Sequence, residues 1–181
     1  MSQEVIDRLH HLLAGFDARV QAAPADSWGN PAPCEGWTAA DIVDHVAGSA
    51  VGMTAALTGN PPIAFDKNDV PGTWPAVRDG LLGAVDTADL SQNVPGPFGP
   101  MPAEQLIGRF MSMDILVHTW DLARAVGGDE QLDADAVERS YSGLKPMDAM
   151  IRQPGVFGPK IEPAEGDDLQ TEFLEFLGRP V

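Results

Sequence analysis

The chain is poor in cysteine, in basic residues and in long apolar runs, and each shortage excludes a class of protein. Cys34 is the single cysteine, which rules out an intrachain disulfide and any metal site built from clustered thiolates. Eleven Lys and Arg stand against 27 Asp and Glu, a formal net charge of −16. A surface so acidic does not attract nucleic acid or an anionic membrane, because both demand positive charge from their partners. No run of 18 apolar residues occurs in the sequence, so no membrane-spanning helix is expected. The first residues, "MSQEVIDRLHHLLAGF", have helical spacing and lack a basic leader with a cleavage site, so a cytoplasmic protein without a signal peptide is expected. Strict apolar–polar alternation is nearly absent, and with it the signature of strands.

What is present is helical periodicity, cut by stretches dense in Pro and Gly. The 181 residues, 44% of them hydrophobic, suit a single domain spanning 1–181 with one sizeable core. Val5, Leu9, Leu12, Phe16 and Val20 recur every three or four residues, predicting a helix over 3–22. His10 and His11 are adjacent on it and read as surface or boundary groups. After the irregular "PADSWGNPAPCEGW", Thr38 and Asp41 stand three apart in a capping-box spacing, with Trp37 and Ile42 placed for a hydrophobic staple. Ile42, Val46, Ala50, Met53 and Leu57 then form a buried stripe that Gly59 and Pro61 end. A third helix is expected at 75–88. The fourth and longest runs from Pro102 to Gly127, and shorter ones are expected at 134–144 and 167–177. Strand is limited to at most a short hairpin in 93–102 or 155–163. The fold class is therefore all-α, a four-helix bundle with long irregular connections.

The fourth helix carries polar groups where leucines belong. In "DILVHTWDLARAVGG" (114–128) Asp114 and His118 lie one turn apart, about 40° around the axis. Ile107, Phe110 and Met111 share their arc. A buried carboxylate needs a compensating partner, and either a structural ion pair or a metal ion would serve. His45, at the edge of the second helix's stripe, could point into the bundle from across. Two imidazoles and a carboxylate from facing helices would make a three-ligand site with a position open for water or substrate. Asp121 is placed either to orient an imidazole from behind or to pair with Arg124 on the surface. Trp37 and Trp120 read as packing residues, with a substrate pocket as the alternative. Cys34, just before the second helix, reads as a buried structural thiol, with a reactive thiol as the alternative.

Two segments, "PCEGWTAADIVDHVAG" (33–48) and "MDILVHTWDLARAVG" (113–127), resemble the paired motifs of an actinobacterial family. The family is named for the metal-binding N-terminal domain of mycothiol-dependent maleylpyruvate isomerase and belongs to the DinB/YfiT-like superfamily. The stretch 155–180 resembles the C-terminal part of its small members. The resemblance implies a bundle holding one divalent metal, usually zinc, through His45, Asp114 and His118, with Asp114 standing where the isomerase has Glu. Two His and one carboxylate would also suit Fe(II), Ni(II) or Mn(II). It further implies mycothiol as a co-substrate and a thiol-dependent isomerisation or S-transfer on a small molecule. The isomerase has an additional C-terminal domain for which 181 residues leave no room, so its own reaction is not carried over. A non-catalytic metal- or ligand-binding bundle, perhaps homodimeric, is the rival expectation.

Overall fold

A computed structural model describes residues 2–97, 99–152 and 157–181. The elements run α1 (Ser2–Ala22), α2 (Ala39–Thr58), α3 (Val70–Thr87), β1 (Asn93–Val94), β2 (Met101–Pro102), α4 (Ala103–Leu106), a π-helical turn (Ile107–Met111), α5 (Ser112–Val126), α6 (Ala134–Leu144), a 3-10 turn (Lys145–Met147), α7 (Asp148–Ile151) and α8 (Leu169–Phe176). Helices α1, α2, α3 and α5 pack into a bundle, with α2 against α3 and α5, and α1 against α3 and α5. Among the described residues the protein is all-α apart from the antiparallel β1–β2 pair, which joins Asn93 to Pro102 and Val94 to Met101. Of the two stretches open to a hairpin, 93–102 forms one. Residues 153–156, which include the start of the second, lie outside the described residues.

Local chemistry explains the boundaries. Thr38 caps α2: its Oγ1 accepts from the Asp41 amide at 3.3 Å, and the Asp41 carboxylate accepts from the Thr38 amide at 2.9 Å. Lys67 holds the same carboxylate at 2.7 Å, and these bonds, Lys67 foremost, pull the Asp41 carboxyl down to about 2. Gly59 closes the helix at φ 69°, where only glycine is unstrained. Helix α3 starts five residues before its expected boundary at 75. Asp69 caps it, and Pro71 falls in the first turn, where no intrahelical N–H is required. Trp74, fully buried, meets Phe16 edge-on at 5.2 Å and donates its indole N–H to Asp17 at 2.9 Å.

The long helix expected from Pro102 to Gly127 is interrupted. At Ile107–Met111 the chain widens to a π turn, and the Ser112 hydroxyl donates to the Ile107 carbonyl at 2.8 Å. Such a turn rotates everything that follows it relative to an unbroken helix. It therefore sets the face on which α5 presents Asp114 and His118. The stripe Ile42, Val46, Ala50, Met53 and Leu57 is buried as its periodicity implies. At the C-terminus the segment before α8 runs back beside it, Ile161 donating to the Glu175 carbonyl at 2.9 Å. The chain then turns at Gly178, and Arg179 donates its amide to the Leu174 carbonyl at 2.9 Å. That turn points the Arg179 side chain into the bundle. Among the described residues no helix is long and apolar enough to cross a membrane.

Candidate metal centre

The packing of α2 on α5 brings His45 to Asp114. His45 Nε2 lies 3.2 Å from both Asp114 carboxylate oxygens, and His118 Nε2 lies 3.4 Å from the Oδ1 of the same carboxylate. One donor atom from each of His45, Asp114 and His118 falls within 4.8 Å of the others. Zinc bonds of about 2.0–2.1 Å in tetrahedral array put neighbouring ligand atoms about 3.3 Å apart. The His45–Asp114 and His118–Asp114 edges, 3.2 and 3.4 Å, match that spacing. The donor set, two imidazoles and a carboxylate, also suits zinc chemically, so these residues fit a metal ion.

Behind His118 the arrangement continues. Its Nδ1 lies 2.9 Å from Oδ2 of Asp121, which is fully buried. With its proton on Nδ1, His118 donates to that carboxylate and leaves the Nε2 lone pair facing Asp114 and His45. This is the carboxylate–histidine pairing that fixes the orientation of metal-ligating imidazoles. Asp121 is held in turn by Arg179, which donates from Nε to Oδ1 at 3.1 Å and from Nη2 to Oδ2 at 2.8 Å. Arg124, the other candidate partner for Asp121, pairs instead with Glu130 at 2.9 Å.

The electrostatics follow from this packing. Burial would raise the Asp114 carboxyl, but hydrogen bonds to His118 and then His45 outweigh it and hold the group well below the usual carboxylate range. Burial likewise disfavours the charged form of His118, yet bonds to Asp114 and Asp121 lift its imidazolium well above its ordinary value. Asp121 is pushed up by burial and pulled down further by His118 and Arg179, ending below the usual range. In the metal-free protein a proton on His118 thus occupies the place a cation would take.

The three groups sit in the wall of a cleft of about 1290 Å³, flanked by α2 from Gly48 to Ala56, the hairpin segment Val94–Pro97 and the C-terminal Gly178 and Arg179. Trp37 lines it beside the imidazoles, stacked on His118 at 5.9 Å and tilted against His45 at 5.2 Å.

Residues 9–123 match the model of the family described as the mycothiol maleylpyruvate isomerase N-terminal domain. The chain belongs to that family. It is also 31% identical to uncharacterized proteins of Mycobacterium tuberculosis strains CDC 1551 / Oshkosh and ATCC 25618 / H37Rv, over 92% of this chain and 92% of each relative. Crystal structures of the mycothiol-dependent maleylpyruvate isomerase and of its histidine-to-alanine mutant share the fold. Their TM-scores are 0.58 and 0.57 at 18% and 17% identity, over 84% of this chain and 70% of theirs.

The family match includes His45, Asp114, His118 and Asp121 but stops before Arg179. Two features escaped the sequence reading. Arg179 lies 58 residues from Asp121, and nothing in "FLGRP" marks it as a site residue. Cys34, read as a buried structural thiol, is instead half-buried and lines the cleft. Its Sγ lies 3.5 Å from Asp121 Oδ2 and accepts from Arg179 Nη2 at 3.2 Å. Cys34, His118 and Asp121 also have donor atoms within 4.8 Å of one another. Trp120 is buried and does not line the cleft; the Arg124 guanidinium lies over its ring at 4.6 Å. His10 and His11 are on the surface, paired with Asp86 at 2.8 Å and Asp133 at 3.1 Å.

Proposed function

We propose that the protein binds one divalent cation, zinc before Fe(II), Ni(II) or Mn(II), through His45, Asp114 and His118. We further propose that it uses the cation to activate a small thiol for isomerisation or S-transfer on a small molecule in the cleft. The observation that carries the reading is that His45 and His118 stand 3.2 and 3.4 Å from one Asp114 carboxylate oxygen, the edge length of a tetrahedral zinc site, at the wall of a cleft large enough for two small reactants. Membership of a family named for a mycothiol-dependent isomerase supports mycothiol as the thiol.

The cation, when bound, would acidify a coordinated thiol so that it is a thiolate near neutral pH. The chain's own residues do the rest. Asp121 keeps the His118 proton on Nδ1 and so keeps Nε2 available as a donor. Arg179 neutralises Asp121, so that a buried carboxylate there is tolerated. Trp37 packs against both imidazoles on the cleft side. The apolar lining from Met53, Val94, Leu106 and Met113 takes the substrate's carbon skeleton out of solvent.

Metal content after dialysis, measured by elemental analysis for wild type and for His45→Ala, tests the first half. One equivalent is expected in wild type and little in the variant. A wild type without metal after growth with zinc, iron, nickel and manganese supplied refutes the site. Mycothiol consumption with a panel of small electrophiles, metal-loaded against metal-free, tests the second half. Metal binding without any metal-dependent thiol chemistry would favour a binding module over an enzyme.

A further inference from the structure

A second, smaller cavity of about 360 Å³ lies on the other side of the π-helical turn, between α1 and α6. Its lining includes Arg8, Arg109, Arg139 and Ser140, over an apolar floor of Leu12 and Leu144. In a chain with 27 acids and 11 bases, arginines find carboxylates easily. Arg19, Arg78, Arg124, Arg152 and Arg179 each have one at 2.7–2.9 Å. The three arginines of this cavity do not. Arg8 and Arg139 share Glu4 at 3.8 and 3.9 Å, beyond hydrogen-bond length. Arg109 has no carboxylate within ion-pair distance among the described residues.

Two further details point the same way. Arg8 Nε is buried with no hydrogen-bond partner, a costly condition for a charged donor. The Arg8 guanidinium also lies against Gly108 in the π turn, where a Cβ would come within 3.3 Å of Nη2. Glycine there leaves the guanidinium its place at the cavity. Burial, and then repulsion from Arg139, holds Arg8 below its ordinary value, and Glu4 only partly opposes them.

We infer that this cavity binds a small dianion, a phosphate monoester or a dicarboxylate, held by Arg8, Arg109 and Arg139. Three guanidinium groups less Glu4 leave a formal charge of about +2, matching a phosphate monoester at neutral pH or a dicarboxylate. Guanidinium groups are planar forks suited to either oxyanion. The cavity volume admits the anion with a short carbon chain on the Leu12–Leu144 floor. The site is separate from the metal centre and independent of its occupancy.

The test is isothermal titration of the full chain with sodium phosphate and with sodium succinate, each against sodium chloride at matched ionic strength. One saturable site is expected for at least one dianion, and the stronger of the two identifies the source chemistry. Arg109 and Arg139 are exposed, so Arg109→Gln/Arg139→Gln should fold, keep its metal content and bind roughly 10- to 100-fold more weakly. Arg8→Gln should weaken binding as well. The inference is overturned if chloride reproduces the heats, or if the double variant binds as tightly as wild type. It is equally overturned if binding disappears with His118→Ala instead, which would place the anion at the metal centre.

Discussion

Asp121→Asn is the most searching single change. Oδ2 of Asp121 accepts from Arg179 Nη2 at 2.8 Å and from His118 Nδ1 at 2.9 Å, while Oδ1 accepts from Arg179 Nε at 3.1 Å. An amide keeps the shape but has one acceptor oxygen, so in either orientation its NH2 faces a donor. It also leaves the guanidinium of the buried Arg179 without its counter-charge. Removing one partner of a buried ion pair costs about 3–5 kcal/mol. With a urea slope near 2 kcal/mol/M this lowers the midpoint by about 1.5–2.5 M. The denaturation is done in chelator, so that lost metal cannot mimic lost pairing. Separately, competition against a chromophoric chelator should show zinc affinity down about 10- to 100-fold, the usual cost of losing the carboxylate behind a ligating histidine. If the midpoint and the affinity both match wild type, Asp121 neither anchors Arg179 nor orients His118, and the reasoning fails.

The remaining predictions concern pH, ligands and two backbone positions. His118 has a raised folded-state value, so its contribution to the stability of the metal-free chain is complete below about 6.5 and is lost as pH rises through that higher value. The urea midpoint in chelator should therefore fall on the alkaline side, while zinc affinity rises there as the competing proton leaves; a midpoint that climbs with pH would contradict the buried imidazolium. His118→Ala should abolish stoichiometric metal in elemental analysis, whereas Asp114→Glu should retain it. Thr38→Ala should cost about 0.5–2 kcal/mol in urea denaturation, because it removes the hydroxyl that accepts from the Asp41 amide at the start of the helix that carries His45. Gly178→Ala should cost about 1–3 kcal/mol, since φ there is 79° and the new Cβ would come 2.7 Å from the Pro159 carbonyl oxygen. Its thermal midpoint should drop, and zinc affinity with it, as Arg179 is displaced.

The helices were legible in the chain because their signals are local. Apolar spacing, the Thr38–Asp41 pair and the Gly59 and Gly127 stops each act within a turn or two, and the structure places α1, α2 and α6 close to the boundaries they imply. Asp114 and His118 were legible as a pair for the same reason, being one turn apart on one helix. The early start of α3 and the π turn were not: Pro71 and Gly72 read as loop ahead of a helix at 75, and no residue in 107–111 marks the extra residue of a π turn. That Asp121 serves His118 rather than Arg124 was decided by a residue 58 positions away. Arg179 reaches it only because α8 docks on α6 and the chain reverses at Gly178. Cys34's place at the cleft and the convergence of Arg8, Arg109 and Arg139 are likewise products of packing. Long-range charge pairing depends on where whole helices come to rest, which is set by the summed burial of their apolar faces and leaves no mark at the charged residues themselves.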